Sequence, residues 1–421
     1  MEKFILTGPC KRTKGEVKIS GAKNSVLALL AASILFNKKV KLENVPFVTD
    51  VMTMITLLRR LGSNVQIDFK KKTITILNKK NLKTLVPYDL VKTMRAGVLA
   101  MGPLLAKYNK CETALSGGCS LGVRPINFHL SGFAKKGAKY KIHKGYVVLK
   151  AKDGLRSSIY SFPKITVTGT SNLIMSSVIL ERKKTVLKNI SIEPEVLDLI
   201  EFLNKAGAKI KFIGKRSLKI IGVRNLTKVT HRVIGDRIEA FSYCCVAAIT
   251  NGNLYLQGIN PKFLKAEINA LRNIGCKVKL NNEAINIMGP KIIKSINLST
   301  GPYPGFATDN MPMLMAVLCS ANGVSKIKET IFENRFMAVP ELNRLNASIF
   351  VKKNIATIIG KKDLYAAQCI SSDLRSTFAI VLGCISAKGE SKIDRIYHGL
   401  RGYFNPEVKL RKIGVKISKQ R

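Results

Sequence analysis

One short segment combines a thiol, two glycines and an arginine, residue types suited to covalent and anion chemistry. Ser116-Gly117-Gly118-Cys119 is followed, five residues after the cysteine, by Arg124-Pro125. Glycines let a backbone approach a ligand closely, and a nearby cation makes a cysteine more reactive by favouring its thiolate. An arginine fork also matches phosphate and carboxylate geometry. Alone, such a segment is more often a surface turn, so other segments must support a functional reading.

Length and composition limit the class of protein. The chain has 421 residues, of which 46% are hydrophobic, and two or three domains are expected. It contains no apolar run of about 18 residues that would span a membrane. The N-terminal sequence turns polar after three apolar residues, unlike a secretory signal. We therefore expect a cytoplasmic protein that does not act at a membrane.

The charge is strongly positive, with 71 Lys and Arg against 26 Asp and Glu, or +45. The lysines are spread along the whole chain and are not accompanied by a basic arm, a zinc-finger signature or an aromatic stacking platform. Abundant Lys, Ile and Asn without Trp indicate A/T-rich codon bias. We expect no nucleic-acid partner, although the positive field would attract a small polyanionic substrate. A basic nucleic-acid-binding or scaffold protein remains the non-enzymatic alternative.

The cysteines and histidines do not indicate a metal or a disulfide framework. There are nine cysteines without a CxxC pair and four scattered histidines without HExxH spacing. Most of the cysteines lie in apolar, helix-like contexts, where cysteine behaves as a small hydrophobe.

Six apolar, helix-like segments recur at roughly 65 to 80 residues, which indicates internal repeats. Each is followed by a strand, a loop, a second amphipathic helix and another strand. The second helix ends at a residue suited to the left-handed conformation. The first helices begin near Gly21, Asp89, Thr168, Asp236, Thr308 and Ser372, and the second helices stop at Gly62, Gly137, Gly207, Gly275, Asn346 and Gly414.

The repeats predict an α/β fold with two domains of three units each, an inside-out α/β barrel with helices inside and sheets outside. We place one domain at 21–231, containing Cys119, and a discontinuous second domain at 1–20 and 232–421. Each unit is expected to begin with a strand, the first being Lys18-Ile19-Ser20. A cleft between two domains is a preferred place for ligands.

Polar residues recur at the starts of these units, where free N–H groups and the helix dipole favour phosphate. Any one of them alone is best explained as a solvated surface charge. Random surface charge would not follow a repeat, so the set predicts an anion-binding site. Its members are Lys23, Asn24, Arg95, Arg124, Lys164, Asp236, Arg237, Asp309, Asp373, Arg375 and Arg401.

Five motifs together resemble the UDP-N-acetylglucosamine 1-carboxyvinyltransferase family, whose members are EPSP synthase-like enolpyruvyl transferases. The resemblance runs from about residue 1 to 415, and the Gly-Gly-Cys loop separates this family from the enolpyruvyl shikimate-phosphate synthases. The five motifs are Gly21-Ala22-Lys23-Asn24, Tyr88 to Ala96, Gly117 to Pro125, Phe332 to Met337 and Asp394 to His398.

The resemblance implies an addition–elimination with phosphoenolpyruvate and UDP-N-acetylglucosamine as substrates, the first committed step of peptidoglycan precursor synthesis. It implies Cys119 as proton donor to phosphoenolpyruvate and Asp309 at the sugar 3-hydroxyl. No metal or organic cofactor is implied. Phosphoenolpyruvate contacts are implied for Lys23, Asn24, Arg124 and Arg401, with Lys23 and Arg401 also catalytic. Nucleotide-sugar contacts are implied for Arg95, Arg124, Pro125, Ile126, Asn127, Phe128, Lys164, Ile165, Thr166, Val167, Asp309 and Ile331.

Several positions depart from the family pattern. Asn127 stands where an aspartate is usual, and Leu400 and Phe404 replace two carboxylates that usually flank the arginine at position 401. The residues implied to take part in the reaction are therefore unchanged, whereas some residues next to them differ from the family pattern. Transfer to a shikimate phosphate is the alternative enzymatic reading, and the acceptor that supports phosphate release would distinguish the two.

Overall fold

The structure, a computed structural model, describes residues 2–92, 94–114, 126–360 and 363–420. These residues form two compact units. One contains residues 2–20 and 235–420, and the other contains residues 21–114 and 126–234, apart from residue 93. No helix of the described residues is long and apolar enough to cross a membrane.

Helices and strands alternate along both units. The α-helices of the described residues are α1 (Lys23–Ala32), α2 (Thr49–Leu61), α3 (Tyr88–Val91), α4 (Met101–Tyr108), α5 (Asn127–Lys135), α6 (Val167–Met175), α7 (Pro194–Lys205), α8 (Arg237–Thr250), α9 (Lys265–Asn273), α10 (Met311–Leu318), α11 (Val339–Arg344), α12 (Leu374–Ser386), α13 (Tyr397–Leu400) and α14 (Pro406–Lys412). Short 3-10 helices cover Ser33–Leu35, Arg95–Ala100, Pro261–Leu264 and Thr308–Asn310.

The strands follow in the same order. They are β1 (Lys3–Gly8), β2 (Lys14–Lys18), β3 (Val40–Glu43), β4 (Ser63–Asp68), β5 (Thr73–Asn78), β6 (Leu85–Val86), β7 (Lys110–Ala114), β8 (Lys139–His143), β9 (Tyr146–Lys150), β10 (Ser158–Ser161), β11 (Lys184–Lys188), β12 (Lys209–Gly214), β13 (Ser217–Ile221), β14 (Val229–Arg232), β15 (Asn253–Gln257), β16 (Lys277–Asn281), β17 (Ala284–Met288), β18 (Ile293–Lys294), β19 (Asn297–Ser299), β20 (Ala321–Asn322), β21 (Val324–Lys328), β22 (Ser348–Lys352), β23 (Ile355–Ile359), β24 (Gln368–Ile370), β25 (Gly389–Asp394) and β26 (Lys416–Gln420).

One sheet pattern recurs six times among the described residues. Each four-stranded sheet has a parallel pair at one side and two further strands added antiparallel. The recurrence confirms the six repeats predicted from the sequence. The orders are β14-β3-β5-β4, β6-β7-β9-β8, β10-β11-β13-β12, β2-β15-β17-β16, β19-β21-β23-β22 and β24-β25-β1-β26.

The expected first strand was wrong in both its bounds and its sheet. β2 ends at Lys18 and pairs in parallel with β15 of the fourth repeat, not with a strand of the first. Beyond it, the Ile19 amide donates to Gln257 O at 2.9 Å. The first repeat instead takes β14 as its parallel strand beside β3. The partner of a strand can lie far away in the sequence, and the pattern of residues within the strand does not reveal it.

Helices occupy the interior of each unit. In the 235–420 unit, α8, α10 and α12 contact one another, and every residue of α10 is buried. The α10 sequence, MPMLMAVL, has no polar face, so it is stable only when covered on all sides. In the 21–234 unit, α1 buries nine of its ten residues. The strands around them alternate buried and more exposed residues, as β13 does. These features confirm the predicted helices-inside arrangement.

The predicted stops of the second helices are also confirmed. Each glycine has φ between 90° and 113°, and Asn346 has φ 72°. Only residues that tolerate positive φ end a helix in this way. The glycines are Gly62, Gly137, Gly207, Gly275 and Gly414.

One lysine is fully buried at the end of α5, directly before the helix stop at Gly137. Lys136, which follows α5, donates from Nζ to Ser177 Oγ at 2.8 Å and to Thr185 Oγ1 at 3.2 Å. Burial, and secondly the charge of Lys183, lowers the pKa of Lys136 to about 7. The ammonium form is therefore costly in the folded state.

Replacing Lys136 with methionine should change how stability depends on pH. In the unfolded chain this lysine titrates near 10.5, so between pH 7 and 10.5 the unfolded state binds more protons than the folded state. Wild-type stability should therefore rise with pH in this window, relative to Lys136→Met, by about 2 kcal/mol between pH 7 and pH 9. Denaturant unfolding at several pH values measures this difference.

The neighbouring exposed lysine supplies the control. Lys135→Met should leave the pH dependence unchanged. A Lys136→Met variant whose stability tracks the wild type at every pH would contradict the expectation.

Candidate active site

In the 235–420 unit, Asp309 is held between two arginines. It lies in the 3-10 helix Thr308–Asn310, directly before α10. Arg335 donates from Nη2 to Oδ1, and Arg375 donates from Nε to Oδ2 at 3.1 Å. The arginine side chains are 2% and 3% exposed, whereas the Asp309 side chain is 27% exposed. The carboxylate is thus the solvent-facing member of a buried charge cluster.

The local charges keep Arg375 ionised. Burial alone would lower the pKa of Arg375, but the nearby charge of Asp309 raises it above its ordinary value. Its guanidinium also lies 5.6 Å from the centre of the Tyr403 ring. Asp373 caps α12 by accepting from the amides of Arg375 and Ser376, which fixes the start of this helix. Asp309 therefore faces a permanent cation.

A buried glutamate links the Ile331 segment to the Asp309 segment. Glu329 is 1% exposed and accepts from the Ile331 amide at 2.6 Å. It also accepts from the hydroxyls of Thr308 at 2.9 Å and Thr300 at 3.0 Å. The structure therefore brings together Ile331 and Asp309, two of the residues predicted to contact the nucleotide sugar.

Arg401 follows α13 and is half-buried in the same unit. The next residue, Gly402, lies so close to α12 that an added Cβ would come within 2.6 Å of the Leu374 side chain. A larger residue at this position would therefore require the Leu374 side chain or the segment itself to shift. Burial and then the positive charge of Arg401 lower the pKa of His398.

In the 21–234 unit, Lys23 is the first residue of α1. Its Nζ lies 3.2 Å from Asp50 Oδ2, and both side chains are largely buried. The residue before the helix, Ala22, provides no side-chain acceptor to the first N–H groups, and Asn24 beside Lys23 is exposed. A lysine ammonium at the start of a helix is an arrangement suited to an anion.

Two further predicted segments lie together in this unit. Asn127 and Phe128 begin α5, preceded by Ile126, and the residues Lys164, Ile165 and Thr166 lead into α6, which begins at Val167. Tyr160, shortly before Lys164, donates to Phe128 O at 3.2 Å. Thr166 caps α6 by accepting from the Gly169 amide at 3.3 Å. Asn127, Lys164 and Val167 are exposed, so they are accessible to a ligand.

Some predicted residues lie outside the described part of the chain. These are Cys119, Arg124 and Pro125, together with the side chain of Arg95, whose backbone begins the 3-10 helix Arg95–Ala100. Sequence reasoning gave no role to Arg335 at Asp309. The Phe332 to Met337 motif, which contains Arg335, was the available signal.

The eight cysteines that the structure describes are poorly placed for reactivity. Seven are buried, and Cys10 is half-buried. Burial raises the pKa of Cys276 and Cys319 to about 12, and it raises the pKa of Cys111, Cys244 and Cys245 well above the ordinary range. A buried neutral thiol is a weak nucleophile. In the described ranges, no three His, Cys, Asp or Glu residues are grouped to hold a metal ion.

Comparisons with known proteins find one family of enzymes along nearly the whole chain. Residues 8–410 match the family described as EPSP synthase (3-phosphoshikimate 1-carboxyvinyltransferase). A protein of Pelagibacter ubique named UDP-N-acetylglucosamine 1-carboxyvinyltransferase is 48% identical, with 100% of both chains covered. A protein of the same name from Campylobacter hominis is 44% identical, with 99% of both chains covered.

Solved structures share the fold at lower identity. The enolpyruvyl transferase NikO from Streptomyces tendae superposes with a TM-score of 0.89 at 20% identity, covering 100% of this chain and 99% of that one. EPSP synthase from Acinetobacter baumannii gives 0.77 at 16% identity, covering 100% of both chains. The α/β inside-out fold predicted from the repeats is therefore confirmed. From the family match and the full-length relatives together, the chain belongs to the EPSP synthase family.

Proposed function

We propose that this chain transfers the carboxyvinyl group of phosphoenolpyruvate to the 3-hydroxyl of UDP-N-acetylglucosamine and releases phosphate. The observation that carries the proposal is the 48% identity, over the full length of both chains, to a relative named for this activity. The reaction is the first committed step of peptidoglycan precursor synthesis. Because both substrates are cytoplasmic metabolites, we place the activity in the cytoplasm.

The proposed reaction has two stages. A proton is delivered to the methylene carbon of phosphoenolpyruvate while the sugar oxygen forms a bond to C2, giving a tetrahedral ketal. Elimination then removes a proton from the methyl group, restores the carbon–carbon double bond and breaks the C2–O bond to phosphate. Cys119 is the proposed proton donor. An acid near the methylene and a base near the hydroxyl are the groups that such chemistry needs.

Asp309 is the proposed partner of the sugar hydroxyl. Its partial exposure makes the carboxylate accessible, and its two arginine partners hold it in one orientation. A carboxylate accepts several hydrogen bonds at once, and the substrate hydroxyl would be a further donor to Asp309. Positioning of this kind contributes strongly to transfer between two bound substrates.

The cations have a separate proposed role. Lys23, Arg124 and Arg401 would bind the phosphate and carboxylate of phosphoenolpyruvate, with Asn24 beside them. Fixed positive charges stabilise a departing phosphate. The position of Lys23 at the start of α1 supports this assignment, because the helix dipole there also favours an anion. The residues Arg95, Arg124 to Phe128, Lys164 to Val167, and Ile331 would contact the nucleotide sugar.

The acceptor distinguishes this proposal from the alternative suggested by the family description, transfer to 3-phosphoshikimate. Phosphate release should be measured from phosphoenolpyruvate alone, with UDP-N-acetylglucosamine, and with shikimate 3-phosphate. We expect release only with the nucleotide sugar. Release that depends on the shikimate acceptor, or none with either acceptor, would overturn the proposal.

Removing the charge of Asp309 should abolish most turnover. Asp309→Asn keeps the side-chain size but leaves two buried guanidiniums without their anion, so stability should fall by about 3 kcal/mol. Loss of the group at the hydroxyl should lower kcat by about a hundredfold or more. Steady-state kinetics and denaturant unfolding measure the two effects.

Asp153→Asn is the matched control, because Asp153 is exposed and pairs only with exposed Arg156 in the contacts described. It should leave both kcat and stability near wild type. Turnover of Asp309→Asn close to the wild-type rate would remove Asp309 from the proposed machinery.

Cys119 should be the thiol that reacts first with a phosphonate epoxide such as fosfomycin. The other thiols are buried except Cys10, which is half-buried and donates to Thr7 O at 3.4 Å. The cations proposed for phosphoenolpyruvate would bind the phosphonate, so nucleotide sugar should accelerate the labelling. Peptide mass mapping identifies the labelled residue.

Cys10→Ser should be labelled as fast as wild type, whereas Cys119→Ser should not be labelled. Cys119→Asp keeps an ionisable acid, so it should retain some turnover without being alkylated. An adduct on Cys10, or on any thiol other than Cys119, is the result that contradicts this assignment.

A further inference from the structure

In the 21–234 unit, one buried side-chain amide connects three helices: the 3-10 helix Arg95–Ala100, α5 and α6. The first residue of each is predicted to contact the nucleotide sugar. Asn172, in α6, is 0% exposed. Its Oδ1 accepts from the Gly102 amide at 2.7 Å, and its Nδ2 donates to Val98 O at 2.9 Å. Nδ2 also lies 2.9 Å from Nδ1 of His129 in α5. One side chain thus reaches the 3-10 helix that begins at Arg95, the start of α4, and α5.

The backbone partners determine the orientation of this amide. An N–H group can only donate and a carbonyl can only accept, so Gly102 requires Oδ1 and Val98 requires Nδ2. The second hydrogen of Nδ2 then points at His129. Nδ1 of His129 must accept it, which places the imidazole hydrogen on Nε2, 3.2 Å from Thr168 Oγ1. His129, which is 3% exposed, is therefore neutral and held in one tautomer.

Two glycines make the close packing possible. A Cβ on Gly102 would lie 2.3 Å from Asn172 O, and a Cβ on Gly132 would lie 2.4 Å from Cδ1 of Leu173. Helices α4 and α5 therefore both approach α6 more closely than larger residues would allow. The Tyr160 hydroxyl also donates to Phe128 O and lies 2.5 Å from Ser131 Oγ. The first turns of α5 are therefore held both by Asn172 of α6 and by Tyr160.

We propose that Asn172, acting through the neutral His129, is a positioning residue for the nucleotide-sugar site. It holds the 3-10 helix that begins at Arg95 and the helix α5 that begins at Asn127 against its own helix α6, which begins at Val167. The inference rests on the proposed function, because those segments are assigned to the nucleotide sugar there. Asn172 itself is buried and does not touch substrate.

The test compares nucleotide-sugar affinity with stability. Asn172→Leu removes all three bonds at similar size, so the Kd for UDP-N-acetylglucosamine, measured calorimetrically, should rise about tenfold. The KM for phosphoenolpyruvate and the kcat at saturation should stay within about twofold. Asn204→Leu is the control, since Asn204 bonds both backbone groups of Ile210 and none of the three segments in the contacts described. It should lower the Tm while leaving the Kd unchanged.

A second pair of variants keeps the test decisive if Asn172→Leu does not fold. In His129→Asn an amide oxygen can replace the Nδ1 acceptor, so affinity should be largely retained. His129→Phe removes the acceptor and should weaken nucleotide-sugar binding about tenfold. In wild type, nitrogen NMR of the four histidines should show His129 with Nδ1 unprotonated and Nε2 protonated.

The outcomes separate the two proposals. A wild type without acceptor-dependent phosphate release contradicts the proposed function and this inference with it. An active wild type whose Asn172 and His129 variants lose only stability, or lose affinity for both substrates equally, contradicts this inference alone. A protonated Nδ1 on His129 also contradicts it.

Discussion

The burial of the apolar helices α1, α8, α10 and α12 is the constraint on which the rest of the structure depends. A helix covered along its whole length, such as α10, can present chemistry only where it begins. Helix starts also carry free N–H groups and a partial positive charge, both of which favour anions. Lys23 at α1, Asp309 before α10 and Asp373 at α12 all occupy such starts. In these three repeats the candidate polar groups therefore lie where the first helix begins.

The same burial requires that polar groups on these helices have partners. Breaking a buried charge pair costs about 3 to 5 kcal/mol, so the buried guanidiniums of Arg335 and Arg375 require an anion, which Asp309 provides. Asp198 shows the same requirement away from the proposed chemistry, because it bonds Ser25 of α1 and lies 2.8 Å from Nε2 of His231. These contacts fix the helices that carry the candidate residues, so stability and function share the same buried polar groups.

Local signals predicted much of this arrangement. The helix stops followed from residue type, because few residues tolerate positive φ, and the buried helices followed from sequences without a polar face. The partner of β2 could not be predicted in that way, since it lies in a repeat more than 200 residues away. Arg335 and Arg375 reach Asp309 across 26 and 66 residues. Such contacts depend on how repeats pack, which spacing along the chain does not encode.

Part of the large positive charge lies on exposed lysines of the strands at the edges of the sheets. β8, β12 and β16 each lie at the edge of a sheet, and each carries two exposed lysines. Lysines on edge strands disfavour pairing with another chain. The three strands carry Lys139 and Lys141, Lys209 and Lys211, and Lys277 and Lys279.

The proposed transfer requires cleavage of the bond between C2 of phosphoenolpyruvate and its bridging oxygen, which departs with the phosphate. Phosphoenolpyruvate labelled with oxygen-18 in the bridging position, turned over with UDP-N-acetylglucosamine, tests it directly. Addition and elimination predict that all of the label appears in the released phosphate and none in the sugar product. Label retained in pyruvate or in the sugar product, or label release that does not require the nucleotide sugar, would contradict the proposed transfer.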